Sequence, residues 1–184
     1  MNDVNEKYLA IFPVWLESLG EDVGVVLAAL KHDGPPPEAR RPLIGGINYL
    51  FKALDLIPDG VDDIGYLDDA FVIRVSAESA LAQDIGDIND ALKNRLFQLA
   101  EGTEVITQFL GDALFARLQK YSNKLANGAA HGRTVDEIME QSSMFETFSI
   151  EVEEFVASYS APGFTADENT LIKLKAFLDA KLPG

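Results

Sequence analysis

Six aspartates lie close together around a single proline–glycine turn, and they are the residues of this 184-residue chain whose type and spacing best suit chemistry. Carboxylates can cap helices and bind the free N–H groups of a turn. They are also the ligands that hard divalent cations prefer. The chain runs from an apolar segment into the turn and out into a second apolar segment. The six are Asp55, Asp59, Asp62, Asp63, Asp68 and Asp69.

Asp68 differs from the other five because helical spacing places it on an apolar face. At about 100° per residue, Ile64, Leu67, Phe71 and Val75 form one stripe of the helix that follows the turn, and Asp68 falls inside it. Asp69 falls to the side of this stripe. A carboxylate on a buried face must be hydrogen-bonded, paired or metal-bound. We therefore expect Asp68→Ala to destabilise the fold more than Asp62→Ala.

Three interpretations of the aspartates stay open. In the first, Asp55 and Asp68 accept hydrogen bonds from backbone N–H groups and lock a helical hairpin, with Asp62 and Asp63 as helix caps. In the second, Asp55, Asp59, Asp68 and Asp69 bind a divalent cation such as Mg²⁺ or Ca²⁺. In the third, the acidic turn docks a basic partner.

Helical periodicity runs through nearly every segment, and no alternating strand pattern is present. The chain is therefore predicted to be an all-α multi-helix bundle organised around a helical hairpin. We expect a single domain over residues 1–184, with residues 84–184 as a possible second helical subdomain. The composition contains no low-complexity segment.

Capping residues and helix breakers predict where individual helices begin and end. Gly20 is expected to stop the first helix and Asp22 to cap the next. Further helices are predicted from near Asp62 or Asp63 to residue 83, over 87–100 and over 103–126. Two capping boxes are predicted at Thr134–Glu137, opening a helix to about residue 159, and at Thr165–Glu168.

The net charge of −15, from 15 basic and 30 acidic residues, narrows the choice of partners. It argues against nucleic acid, whose phosphates are bound by clustered Lys and Arg. The absence of cysteine excludes disulfides and thiol catalysis. No apolar run approaches the ~20 residues of a membrane span, and the N-terminus lacks the pattern of a signal peptide. We expect a cytoplasmic protein without an integral membrane segment, and with a protein partner.

Two motifs, Asp55-Leu-Ile-Pro58-Asp59 and Gly65-Tyr66-Leu-Asp68-Asp69, occur at the spacing of the YkvA-like family of bacterial and archaeal domains. The chain resembles that family over about residues 40–80. The resemblance implies a helical hairpin over residues 40–83, but it implies no known reaction. The signature positions that it implies are Asp55, Pro58, Asp59, Gly65, Tyr66, Asp68 and Asp69.

The leading hypothesis from the sequence is a non-enzymatic interaction or scaffold domain, with no residue assigned as catalytic. One alternative is a divalent-metal-binding protein or metal-dependent hydrolase that uses the aspartates. Another is an acidic inhibitor or immunity-type protein that neutralises a basic target. A large exposed apolar patch beside acidic residues would favour the first or the last of these.

Overall fold

A computed structural model describes residues 3–52, 56–61 and 64–184, and within these ranges the chain forms eight helices. The predicted all-α multi-helix fold is confirmed. A two-residue antiparallel pair, β1 (Ala129–Ala130) with β2 (Arg133–Thr134), interrupts the helices. The helices are α1 (Asp3–Leu30), α2 (Pro37–Tyr49), α3 (Leu67–Leu81), α4 (Asp90–Leu110), α5 (Asp112–Leu125), α6 (Val135–Glu140), α7 (Ser142–Ser158) and α8 (Glu168–Lys181).

Helix α1 is continuous through Gly20, so the predicted stop at Gly20 and the new helix capped by Asp22 are wrong. A side chain at position 20 would approach the ring of Tyr159, since a Cβ placed there lies 3.2 Å from Cδ1 of that ring. The glycine therefore permits close packing of another segment instead of ending the helix. Burial of Phe12, Leu16, Leu19 and the following apolar residues holds both halves of α1 in one helix.

Helix α3 begins at Leu67, later than the predicted start near Asp62 or Asp63, two residues that lie outside the described ranges. The backbone before it forms turns, with hydrogen bonds from the N–H of Val61 to the carbonyl of Pro58 and from Gly65 to Val61. Tyr66 then adopts a left-handed conformation with φ of 65°, which a right-handed helix excludes.

Every residue from 67 to 77 is buried, because α3 runs through the middle of the bundle with α1, α2, α4 and α5 against it. The helical wheel treats α3 as one apolar stripe with Asp69 to its side. In the structure Asp69 is buried as well, at 2% exposure, because helices pack beside the stripe too. Helix α3 is therefore the central helix of the bundle, and its charged residues Asp68, Asp69 and Arg74 are buried with the apolar ones.

Three further helix boundaries lie at residues other than those predicted. Helices α4 and α5 meet at Gly111, which has φ of 81°, and not near residue 101. The helix predicted to reach residue 159 is divided at Gln141 into α6 and α7. The first capping box is confirmed, whereas the second is wrong because Asp167 caps α8 by accepting from the N–H of Asn169 at 2.6 Å.

Two apolar cores share α1 and α3. The first surrounds Phe12, Phe71 and Phe109, and it includes the buried face of α8 and the turn residues Leu56 and Ile57. The second lies between α1, α2, α3 and α7 and contains Phe148. The turn between α2 and α3 is therefore anchored in the same core that supports α8. No helix in the described ranges is long and apolar enough to span a membrane.

Candidate functional site

The carboxylate of Asp68 joins three parts of the chain at one buried point. The hydroxyl of Tyr49, at the end of α2, donates to Oδ2 of Asp68 at 2.5 Å. The backbone N–H of Ile57, in the turn, donates to the same oxygen at 3.0 Å. The N–H of Leu56 donates to the Tyr49 hydroxyl at 2.7 Å. This network, which we call the Asp68 lock, ties α2 and the turn to the first residues of α3.

Burial sets the protonation of both side chains in the Asp68 lock. Asp68 is fully buried, and burial raises the pKa of its carboxyl to about 6, although the hydrogen bonds from Tyr49 and Ile57 oppose the rise. Burial, and then the nearby charge of Asp68, raise the pKa of the Tyr49 hydroxyl well above its ordinary value, so that it stays a proton donor. The second oxygen of Asp68, Oδ1, has no hydrogen-bond partner among the described residues.

Gly65 and Tyr66 shape the backbone that delivers Asp68 to this point. A Cβ at Gly65 would lie 2.3 Å from the carbonyl oxygen of Asp59, so no other residue fits without a shift of the backbone. The ring of Tyr66 packs edge-on against Tyr159 at 5.6 Å, and interaction with the Tyr66 side chain opposes the rise that burial causes in the pKa of Asp59. These contacts hold Tyr66 in its left-handed conformation, which is costly for a non-glycine residue.

The signature positions that the structure describes lie around one turn, but their surroundings differ. Asp68 and Asp69 are buried in the first turn of α3, where the helix dipole favours negative charge. Pro58 and Asp59 are exposed on the turn, and Gly65 lies beneath Asp59. Asp55 lies outside the described residues.

The structure therefore gives the predicted metal ligands unequal surroundings. Oδ2 of Asp68 is engaged by two N–H or O–H donors, and Asp59 interacts with Tyr66. Within residues 3–52, 56–61 and 64–184, no three His, Asp or Glu side chains are grouped so that they could hold a metal ion. Among described residues, the geometry around Asp68 is that of a hairpin lock.

Sequence reasoning did not identify Tyr49 as the partner of Asp68. The two residues are 19 positions apart, and only the antiparallel packing of α2 on α3 brings them together. An alternating or helical pattern carries no information about such a pair. A tyrosine at the end of an apolar helix is compatible with many positions in a core.

A second feature is an apolar groove between the α4–α5 junction and α8, which we call the α8 groove. Its volume is about 490 Å³, and its walls include Leu110, Leu114, Ala176 and Ile172. Ile172 is 66% exposed and is the most exposed large apolar side chain among the described residues. The groove could not be predicted from the sequence, since the exposure of Ile172 depends on which other segments pack beside α8.

Carboxylates and one lysine form the rim of the α8 groove. Asp112, in the first turn of α5, is exposed at one side. Asp179 lies at the other and pairs with Arg117 at 2.6 Å. The ammonium of Lys175 donates to the backbone carbonyl of Phe109 at 3.2 Å. The groove thus offers an apolar floor with acidic side chains at its edges.

Comparison with known proteins adds no relative: no family model, curated protein or solved structure matches the chain. The relation to the YkvA-like family accordingly remains a prediction from the two motifs around the Asp68 lock.

Proposed function

We propose that this protein is a non-enzymatic interaction domain that binds a basic, amphipathic segment of a protein partner in the α8 groove. The observation that carries the proposal is the exposed apolar floor around Ile172 beside the carboxylates of Asp112 and Asp179. Exposed apolar surface rimmed by polar groups is typical of protein-binding sites. Binding would cover Ile172 and leave the partner's cationic side chains at the rim.

Charge supports a basic partner over a neutral or acidic one. The chain carries twice as many acidic as basic side chains, and its net charge is −15. Such a field attracts a cationic segment from a distance and repels acidic competitors. Asp179 already pairs with Arg117, and Lys175 donates to a backbone carbonyl, so the exposed carboxylate of Asp112 is the first contact for a cationic side chain of the partner. Apolar contacts would then supply most of the affinity.

The shape of the groove suits a helical partner. Ile172 and Ala176 are one helical turn apart on α8, and Leu110 and Leu114 face them across the α4–α5 junction. An amphipathic helix can place apolar side chains at positions i and i+4 between two such rows. Lys or Arg on its flanks would then reach Asp112 and Asp179.

The Asp68 lock has a supporting role in this proposal. Leu56 and Ile57, which the lock anchors, share a core with Leu114 and with Leu174 and Leu178 of α8. The signature residues would thereby keep the groove walls in place without touching the partner. This assignment uses the aspartates as hairpin-locking residues, the first of the interpretations that the sequence allowed.

A peptide titration tests the proposal. The probe is a fluorescent amphipathic peptide of Leu and Lys at helical spacing, and its binding is followed by anisotropy. Ile172→Gln should weaken binding at least about tenfold, since burial of one such side chain contributes about 1.5–3 kcal/mol. Ile150→Gln is the matched control, because Ile150 is 50% exposed on α7. Equal affinities for the two variants would refute the assignment of the groove.

Charge reversal and crosslinking extend this test. A peptide with Glu in place of Lys should bind much more weakly than the Leu–Lys peptide.

A photo-reactive amino acid placed at position 172 in cells should capture a discrete protein that the same group at position 150 does not. The captured protein supports the proposal only if it has a basic segment and if the purified pair is weakened by Ile172→Gln.

Metal binding is a second candidate, and one observation favours it. Oδ1 of Asp68 is buried and has no hydrogen-bond partner among the described residues, and an orphaned buried acceptor calls for a physical reason. A calorimetric titration of chelator-treated protein with Mg²⁺, Ca²⁺ and Mn²⁺ tests this candidate. Stoichiometric heat that Asp68→Asn abolishes would support a cation at this oxygen. The absence of heat would leave the Asp68 lock as the sole role.

A further inference from the structure

A buried cation also lies on α3, away from the Asp68 lock and the α8 groove. Arg74 is 3% exposed, and its Nη2 donates to Oδ2 of Asp22 at 3.0 Å. Its Nη1 donates to the carbonyl of Ala70 at 2.9 Å, and its guanidinium lies 4.1 Å from the centre of the Trp15 ring. Ser18 donates to the same oxygen of Asp22 at 2.9 Å. Residues of α1 and α3 thus hold one guanidinium in a fixed position.

Helix α4 leaves room for this guanidinium through a glycine. A Cβ at Gly102 would lie 2.6 Å from Cδ and 3.0 Å from Nε of Arg74. A helix interior otherwise favours alanine over glycine. Three helices are therefore shaped around Arg74, although a buried ion pair is weak support for stability compared with apolar packing.

The ion pair forms the floor of a cavity of about 220 Å³, which we call the Arg74 pocket. Its polar lining consists of Ser18, Glu21, Asp22, Arg74, Arg95 and Gln98. At the mouth, Arg95 of α4 pairs with Glu21 of α1 at 2.7 Å, and both side chains are substantially exposed. An exposed pair of this kind contributes little to stability, so its partners can be exchanged at little cost.

We propose that the Arg74 pocket binds a small zwitterion of the α-amino acid class. The two guanidiniums and two carboxylates of the pocket already neutralise one another, so a ligand with a net charge would leave one charge unpaired. A ligand with one anionic and one cationic group can replace the outer pair. The carboxylate of the ligand then pairs with Arg95, and its ammonium pairs with Glu21.

The dimensions and chemistry of the pocket fit this class of ligand. Its volume is below the roughly 300–1,000 Å³ of sites for larger ligands. Ser18 and Gln98 offer neutral hydrogen-bonding groups, and Leu99 provides an apolar wall for a short side chain. Arg74 and Asp22 stay paired beneath the ligand and keep the inner end of the pocket polar. The site is separate from the α8 groove, since the two share no lining residue.

Saturation-transfer NMR and calorimetry on the full chain test the proposal, with the proteinogenic L-amino acids as probes. At least one should bind saturably with a dissociation constant below about 1 mM, which corresponds to about 4 kcal/mol. Arg95→Gln and Glu21→Gln should each weaken that binding at least tenfold. Arg41→Gln is the matched control, because Arg41 forms a comparable exposed pair with Asp136 elsewhere on the surface.

Smaller probes separate a zwitterion site from a simple ion site. Acetate and ethylamine, each carrying one of the two charges, should bind far more weakly than the amino acid. Equal binding of acetate would overturn the assignment to zwitterions. The absence of saturable binding by any amino acid at about 10 mM, or equal affinities for Arg95→Gln and Arg41→Gln, would overturn the site itself. Circular dichroism of each variant confirms that the fold is intact.

Discussion

Protonation of Asp68 should stabilise the folded protein, and this prediction can be worked out from the buried carboxyl. The pKa rises from 3.8 to about 6 on folding because burial disfavours the charged form. The folded state therefore binds the proton more tightly than the unfolded state. The stabilisation is complete below about pH 4 and is lost as the pH rises through about 6.

The size of the effect follows from the same two values. One pKa unit corresponds to about 1.4 kcal/mol, so the free energy of unfolding should fall by about 3 kcal/mol from this group between about pH 3 and about pH 7. Other carboxyls also titrate in this range, and Asp59 adds a repulsive charge near Asp68. The contribution of Asp68 is therefore the difference between the wild type and Asp68→Asn.

Urea denaturation of both proteins across this pH range measures that difference. The free energy of unfolding of the wild type, minus that of Asp68→Asn, should decline with rising pH and become flat above about pH 7. Ile150→Gln replaces an exposed side chain that does not titrate and is the control, whose difference curve should not show this decline. If the difference between the wild type and Asp68→Asn stays constant with pH, or rises with pH, the burial of an ionisable carboxyl at this position is refuted.

Three further substitutions test the packing around the proposed sites. Gly65→Ala should lower the free energy of unfolding, measured by thermal denaturation, by about 2–3 kcal/mol. Gly60→Ala is the control, because a Cβ at position 60 meets nothing within 4 Å, and it should change this free energy by less than about 0.5 kcal/mol. Tyr49→Phe removes a donor to the buried carboxylate and an acceptor for a backbone N–H, and chemical denaturation should show a loss of about 1–3 kcal/mol. Arg133→Gln should lower the free energy of unfolding by about 3–5 kcal/mol. Arg133 is a buried cation that pairs with the carboxylate of Glu151, and its guanidinium lies over the rings of Phe51 and Phe148. Arg41→Gln, which breaks an exposed ion pair, is the control and should lower the free energy of unfolding by at most about 1 kcal/mol. Equal losses for the two arginine variants would contradict the burial of Arg133.

The helical class and the buried position of Asp68 follow from periodicity, which depends only on neighbouring residues. The Thr134–Glu137 capping box is predictable for the same reason, since its two hydrogen bonds lie within four residues. The prediction at Gly20 failed because a distant segment gives this glycine its role. Gly20 lies inside a continuous helix, where the absence of a side chain leaves room for the ring of Tyr159, and neither residue identifies the other in the sequence.

The sequence alone determined that the chain is helical, strongly acidic and equipped with a carboxylate on a buried face near a proline–glycine turn. Tertiary structure alone decided what surrounds that carboxylate, which apolar side chains of α8 stay exposed and which arginine enters the core. Local patterns report how a segment folds, because backbone hydrogen bonds and side-chain spacing act over a few residues. Pairing and exposure depend on contacts between segments far apart in the chain, as in Arg74 with Asp22, and these arise only when the helices pack.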